Sequence, residues 1–139
     1  MNPTIKNVLA VLAGIVAGVV VNMGLIMLGP SLIPPPEGVN VMDPESIAAN
    51  MHLFESKHFI FPFLAHALGT LVGAFVVAKL TVSHHMKLAL GIGAFFLLGG
   101  IANVVNLSAP MWFNVLDLVA AYIPMGWLGR KLAGTADER

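Results

Sequence analysis

Apolar residues run almost unbroken through four stretches of this chain, and polar residues gather between them. Residues 8–28 carry no charged side chain, and 59–77, 88–107 and 111–128 follow, the last interrupted by one acid, Asp117. A bilayer core of about 30 Å takes roughly 20 residues of α-helix to cross, so each stretch has the length of one span. The pattern predicts an all-α integral membrane protein: an antiparallel four-helix bundle with a short amphipathic outer helix between spans one and two. A cleaved leader is the rival reading of the first stretch, but leader cores run about 7–15 residues up to a small-residue cleavage site. This stretch is longer and ends in Gly29-Pro30, so it is read as a permanent helix and the chain, residues 1–139, as a single transmembrane domain.

The cations then set an orientation, because short cytoplasmic segments carry the excess of Lys and Arg. With the N-terminus inside, Lys6, Lys79, Lys87, Arg130, Lys131 and Arg139 are all cytoplasmic and only Lys57 is outside. Glu37, Asp43, Glu45 and Glu55 fall in the outer loop, and Trp112 and Trp127 lie near opposite interfaces, where indole rings anchor. Both ends are expected on the cytoplasmic side, with residues 129–139 as a cytoplasmic tail. The expected location is the bacterial plasma (inner) membrane.

The outer loop, residues 29–58, opens with Pro34-Pro35-Pro36, a stiff extended spacer, which Glu37-Gly38 turns. Asp43-Pro44-Glu45 has the composition of a helix start: a capping acid, proline at the first position and an acid near the positive end of the dipole. The spacing of Ile47, Met51 and Phe54 predicts a helix from Pro44 to about Ser56 with one apolar stripe, lying on the membrane or capping the bundle. On such a helix His52, Glu55 and His58, three residues apart, fall within a sector of about 120°. They are the weaker candidate site, for Zn²⁺, Fe or Mn, because helical di-metal sites draw such motifs from more than one helix.

The stronger candidate lies inside the spans. Counting from the ends places Asn22, His66, Thr70, Asn103, Asn106, Asn114 and Asp117 at one outer level, while the inner half is apolar apart from Tyr122. Gly14 and Gly18 lead to Asn22, Gly69 and Gly73 flank Thr70, and Gly99 precedes Asn103, so close helix approach should turn these polar groups inward. A polar vestibule opening outward is the expectation. Asp117 is costly in lipid unless paired, and His66 is the ionisable group at similar depth; in contact the two could share or relay a proton. The competing reading makes the asparagines interhelical packing glue worth about 0.6 kcal/mol each. Pro124 frees the carbonyl of Ala120 and predicts a kink in the fourth span; interruptions of the kind that mark transporter sites are otherwise not evident, and the two halves lack internal similarity.

Composition narrows the chemistry. Only 10% of residues are charged and 58% are hydrophobic, with zero formal net charge and no basic run, which argues against nucleic acid as a partner. Cysteine is absent, which removes disulfides, thiolate nucleophiles and iron–sulfur ligation. Haem is disfavoured, because His84-His85 falls in the turn between spans two and three and supplies no second intramembrane ligand. The eight methionines form no tight cluster and serve as core filler, which disfavours copper. Three function classes follow. The first is a non-enzymatic binding or accessory protein whose vestibule uses His66 and Asp117. The second is a proton-linked ion or small-solute transporter using the same pair. The third is a membrane enzyme with His66 as base and Asp117 orienting it, ranked last for want of a nucleophile. The lipid bilayer is the expected partner, with a second copy or a membrane-complex subunit beside it.

Overall fold

The computed structural model describes residues 1–134, whose regular secondary structure is all helical, with no strand among them. The elements are α1 (Pro3–Leu32), α2 (Pro44–Ala49), α3 (Ile60–Leu80), α4 (His85–Leu107), α5 (Met111–Ala120) and α6 (Ile123–Ala133), with 3₁₀ turns at Met51–Leu53 and Ser56–Phe59. Four helical stretches are long and apolar enough to cross a membrane: Pro3–Leu32, Ser56–Leu80, His85–Leu107, and Met111–Ala133, which joins α5 to α6. The shortest has 23 residues, or roughly 35 Å at 1.5 Å per residue. Arg139, one of the cations assigned to the inner side, lies outside the described residues.

Local chemistry explains where the elements begin and end. Asn2 caps α1 by accepting from the amide of Thr4 at 2.8 Å, with Pro3 at the first helical position. The first helix does not stop at Gly29-Pro30 as the sequence suggested. It continues to Leu32, because one proline near a helix end forfeits a single hydrogen bond and the next turn still closes through the Ile33 amide, which donates to the Gly29 carbonyl at 2.8 Å. The connection after it turns at Glu37-Gly38, where Gly38 has φ +84° and the amide of Val39 donates to the carbonyl of Pro36 at 3.1 Å.

The start of α2 follows the sequence reading, with Asp43 accepting from the Glu45 amide at 3.0 Å, but its end does not. The helix stops at Ala49 because the Asn50 side chain donates back to the Ser46 carbonyl at 2.8 Å, an alternative to continuing the backbone ladder. Glu55 and His58 then form a reciprocal cap on the next turn, His58 Nδ1 accepting from the Glu55 amide at 2.8 Å. The continuous helix from Pro44 to Ser56 is thus replaced by three short pieces.

Packing is organised by glycine. A Cβ at Gly14 would stand 2.7 Å from the Gly73 carbonyl oxygen and one at Gly73 2.8 Å from that of Gly14; Gly18 and Gly69 oppose one another in the same way at 2.8 and 2.9 Å. Two Gly-x-x-x-Gly pairs therefore face each other across α1 and α3, with numbers falling in one as they rise in the other. Near the other side of α3, Gly129 of α6 meets the Leu71 carbonyl and Ala74, and Gly126 meets the Ala89 carbonyl of α4. The two buried clusters sit along this axis, one around Ala74, Val77, Ala89 and Ile92, the other around Ala67, Ala121 and Tyr122. Outward faces remain apolar and exposed, as at Val16, Val20, Leu98, Val105 and Val119.

Candidate functional site

The fourth hydrophobic stretch is broken where Pro124 denies an amide to the ladder. α5 ends at Ala120, Ala121 and Tyr122 leave the helix, and α6 restarts at Ile123 with Pro124 in its first turn. The sequence predicts a kink there; the structure has a two-residue break at Ala121 and Tyr122. At Tyr122 the backbone sits at φ −118° and ψ −78°. Residues five apart on an unbroken helix lie about 140° apart around the axis. The break instead brings the Tyr122 phenol back onto Asp117.

Asp117 is consequently held from two directions. Its Oδ1 lies 2.8 Å from His66 Nδ1, and its Oδ2 accepts from the Tyr122 hydroxyl at 2.9 Å. The imidazole and phenol rings stack with centroids 5.8 Å apart and planes at 27°. Asp117 is 3% and Tyr122 2% exposed, so each carboxylate oxygen replaces lost solvation with a charge-assisted hydrogen bond, the condition for keeping such a group buried. Gly100 makes room for the phenol: a Cβ there would lie 2.5 Å from the Tyr122 hydroxyl oxygen. Sequence reasoning missed both Tyr122 and Gly100.

An ionised carboxylate only accepts, so His66 directs its Nδ1 hydrogen at Asp117. Nε2 is then the nitrogen left for the two cavities that His66 lines. The first, about 170 Å³, lies at the end of the helices that carries the long connection. Its walls are mostly apolar, with Ile26, Ile47, Met51, Phe54, Phe59 and Phe113 among them, and Lys57, His58, His66, Asn103, Asn114 and Asp117 are its charged and polar contributors. The second, about 190 Å³, is framed by α1, α3 and α4 and reaches Asn22, Gly69, Thr70 and Gly99. His66, Gly100 and Asn103 belong to both.

The seven residues singled out in the spans therefore do not form one undivided vestibule. Asn114 lines the first cavity while its amide donates to the Ala109 carbonyl at 3.1 Å, holding the α4–α5 turn. Thr70 is buried in the second, its hydroxyl donating to the His66 carbonyl at 2.8 Å, so it steadies the histidine's backbone and does not reach the carboxylate. Asn22 lines the second cavity from α1. Asn106 is exposed and stands outside both linings.

The weaker candidate fares differently. With α2 ended at Ala49, His52 and Glu55 are exposed on separate turns, and His58 Nδ1 is committed to the Glu55 amide. Among the described residues no three His, Cys, Asp or Glu side chains are grouped as a metal site would need. Compared with known proteins, the chain matches no family model, no curated protein sequence and no solved structure.

Proposed function

We propose that this chain is an integral membrane protein, an antiparallel four-helix bundle with both termini cytoplasmic, that binds a small molecule in an outward-facing cavity. Exposed aliphatic side chains over the helices suit lipid, where only fully hydrogen-bonded backbone is tolerated. One observation carries the binding reading: a buried Asp117 holds His66 through Nδ1 beside an apolar cavity roofed by the long connection. An apolar cavity with a few convergent polar groups is the usual form of a small-molecule site. Native mass spectrometry of the gently solubilised protein should find a stoichiometric small molecule that is lost on Asp117→Asn. An empty wild-type preparation, with lipid extracts supplied, would count against the binding reading.

Orientation has its own test, helped by the absence of cysteine. A single cysteine at His52 should react with an impermeant maleimide from outside intact cells, and one at Lys87 only after permeabilisation; the reverse would invert the topology.

A second reading, proton-linked transport, draws on the interruption at Ala121-Tyr122 beside the acid–histidine pair, since broken helices are where many transporters hold substrate and coupling ions. It requires pH-dependent flux in proteoliposomes that Asp117→Asn abolishes. Absence of such flux for every solute and ion tried would remove it.

A further inference from the structure

Resting on the binding reading above, we infer that the loop-end cavity takes a neutral phenolic ring whose hydroxyl donates to Nε2 of His66. Size is the first constraint. The cavity measures about 170 Å³, and an apolar protein cavity of about 150 Å³ binds benzene, so one substituted six-membered ring fills it.

Charge is the second constraint. A cation meets a carboxylate already stabilised by two donors, Oδ1 by His66 and Oδ2 by the Tyr122 hydroxyl, which weakens its pull on a further charge. An anion would be repelled by the same carboxylate, and the lining's lysine, Lys57, sits 3.5 Å from Glu55 with both side chains mostly exposed. The ligand is therefore neutral.

Hydrogen-bond polarity is the third. With Nδ1 donating to Asp117, Nε2 carries a lone pair and selects a donor. Phe59 and Phe113, whose centroids are 4.7 Å apart, give the ring aromatic walls. A ring with a hydroxyl satisfies all three constraints; an ether or a bare hydrocarbon of the same size leaves the lone pair of His66 Nε2 without a donor.

The test uses the full chain in nanodiscs with carbon-13 methyl-labelled methionine, following Met51, which lines the cavity and is assigned through Met51→Leu. The probes are 4-ethylphenol, 4-ethylanisole, ethylbenzene and 4-ethylbenzylamine, each titrated against lipid. In the wild type the phenol should saturate the Met51 shift at about tenfold lower concentration than the anisole, the discrimination expected from one hydrogen bond of about 1.4 kcal/mol.

Asp117→Asn should reverse that preference. With its amide oxygen accepting from the Tyr122 hydroxyl in place of Oδ2, its amide nitrogen faces Nδ1 and selects the other tautomer, and Nε2–H then donates to the ether oxygen. His66→Phe should bring the ratio to about one, and comparing each ratio between variants cancels probe partitioning into lipid. Equal affinities for phenol and anisole in the wild type, a preference unchanged by both substitutions, or tightest binding of the ammonium probe would each overturn the hydroxyl assignment while leaving a ligand cavity in place. Failure of all four probes, ethylbenzene included, to move Met51 saturably would overturn the binding reading itself.

Discussion

Tyr122→Phe isolates a single hydrogen bond at the centre of the site. The ring that stacks on His66 at 5.8 Å and fits against Gly100 is kept, and only the hydroxyl that donates to Asp117 Oδ2 at 2.9 Å is removed. Hydrogen bonds to charged groups contribute about 1.5–3 kcal/mol in soluble proteins, whereas interhelical bonds in a membrane average about 0.6 and reach about 1.7 kcal/mol. Both partners here are almost fully buried, which favours the upper part of the membrane range. Asp117 also lines the loop-end cavity, so a water can take up part of the loss. The expected destabilisation is about 1–1.7 kcal/mol, within those membrane values. The assay is reversible unfolding by sodium dodecyl sulfate in mixed micelles, run as a double-mutant cycle with Asp117→Leu. In the leucine background the phenol has no acceptor, and Tyr122→Phe should cost nothing or stabilise. Equal costs in the two backgrounds, within the roughly 0.5 kcal/mol at which independent sites add, would show that the hydroxyl is not bound to the acid and would refute the geometry on which the site rests.

Three further outcomes follow from contacts already described. Gly18→Ala should destabilise by about 1–3 kcal/mol, the range for overpacking, because its Cβ meets both the Gly69 carbonyl and the Phe96 ring, whereas Gly24→Ala, with open space around it, should be neutral or gain up to about 1 kcal/mol from helix propensity; the same unfolding assay reads both. Gly100→Ala should push the phenol off Asp117 and abolish the cycle energy between Tyr122 and Asp117, and persistence of that energy would be the contrary result. Asn7 ties α1 to the α3–α4 turn, its amide donating to Ser83 Oγ and its Oδ1 accepting from the Val82 amide, both at 2.9 Å. Asn7→Ala should cost about 1 kcal/mol and accelerate hydrogen exchange at Val82 while leaving the amides around Asp117 unchanged.

The four long helices were legible because lipid-length apolar runs need no tertiary information to recognise, and the Gly-x-x-x-Gly spacing of 14 and 18 and of 69 and 73 already marked the faces that meet. The long connection was less legible. Ile47, Met51 and Phe54 have helical spacing, and all three do line the loop-end cavity, but they reach it from a short helix, a 3₁₀ turn and an extended residue. Apolar periodicity reports which side chains face inward and says little about how a local competitor such as the Asn50 side chain divides the backbone. The same error misplaced the metal candidate, which depended on His52, Glu55 and His58 sharing one helix.

The acid–histidine contact could be anticipated from depth alone, since Asp117 needed a partner and His66 was the ionisable group at its level. Tyr122 could not be found that way. Depth counting treats a span as one straight helix, which sets Tyr122 more than a turn further inward and about 140° around from Asp117. The signal was present in Pro124: a residue lacking an amide two positions after the tyrosine permits the chain to leave the helix at Ala121-Tyr122. Gly100 is the complementary signal, a helix-interior glycine whose missing side chain is the space the phenol occupies. Proline and glycine on neighbouring helices thus act together, one releasing the tyrosine from its helical direction and the other admitting it. An intramembrane proline next to an aromatic hydroxyl residue, facing a glycine on an adjacent span, is therefore a reason to reconsider depth-based assignments before assigning a buried acid its partners.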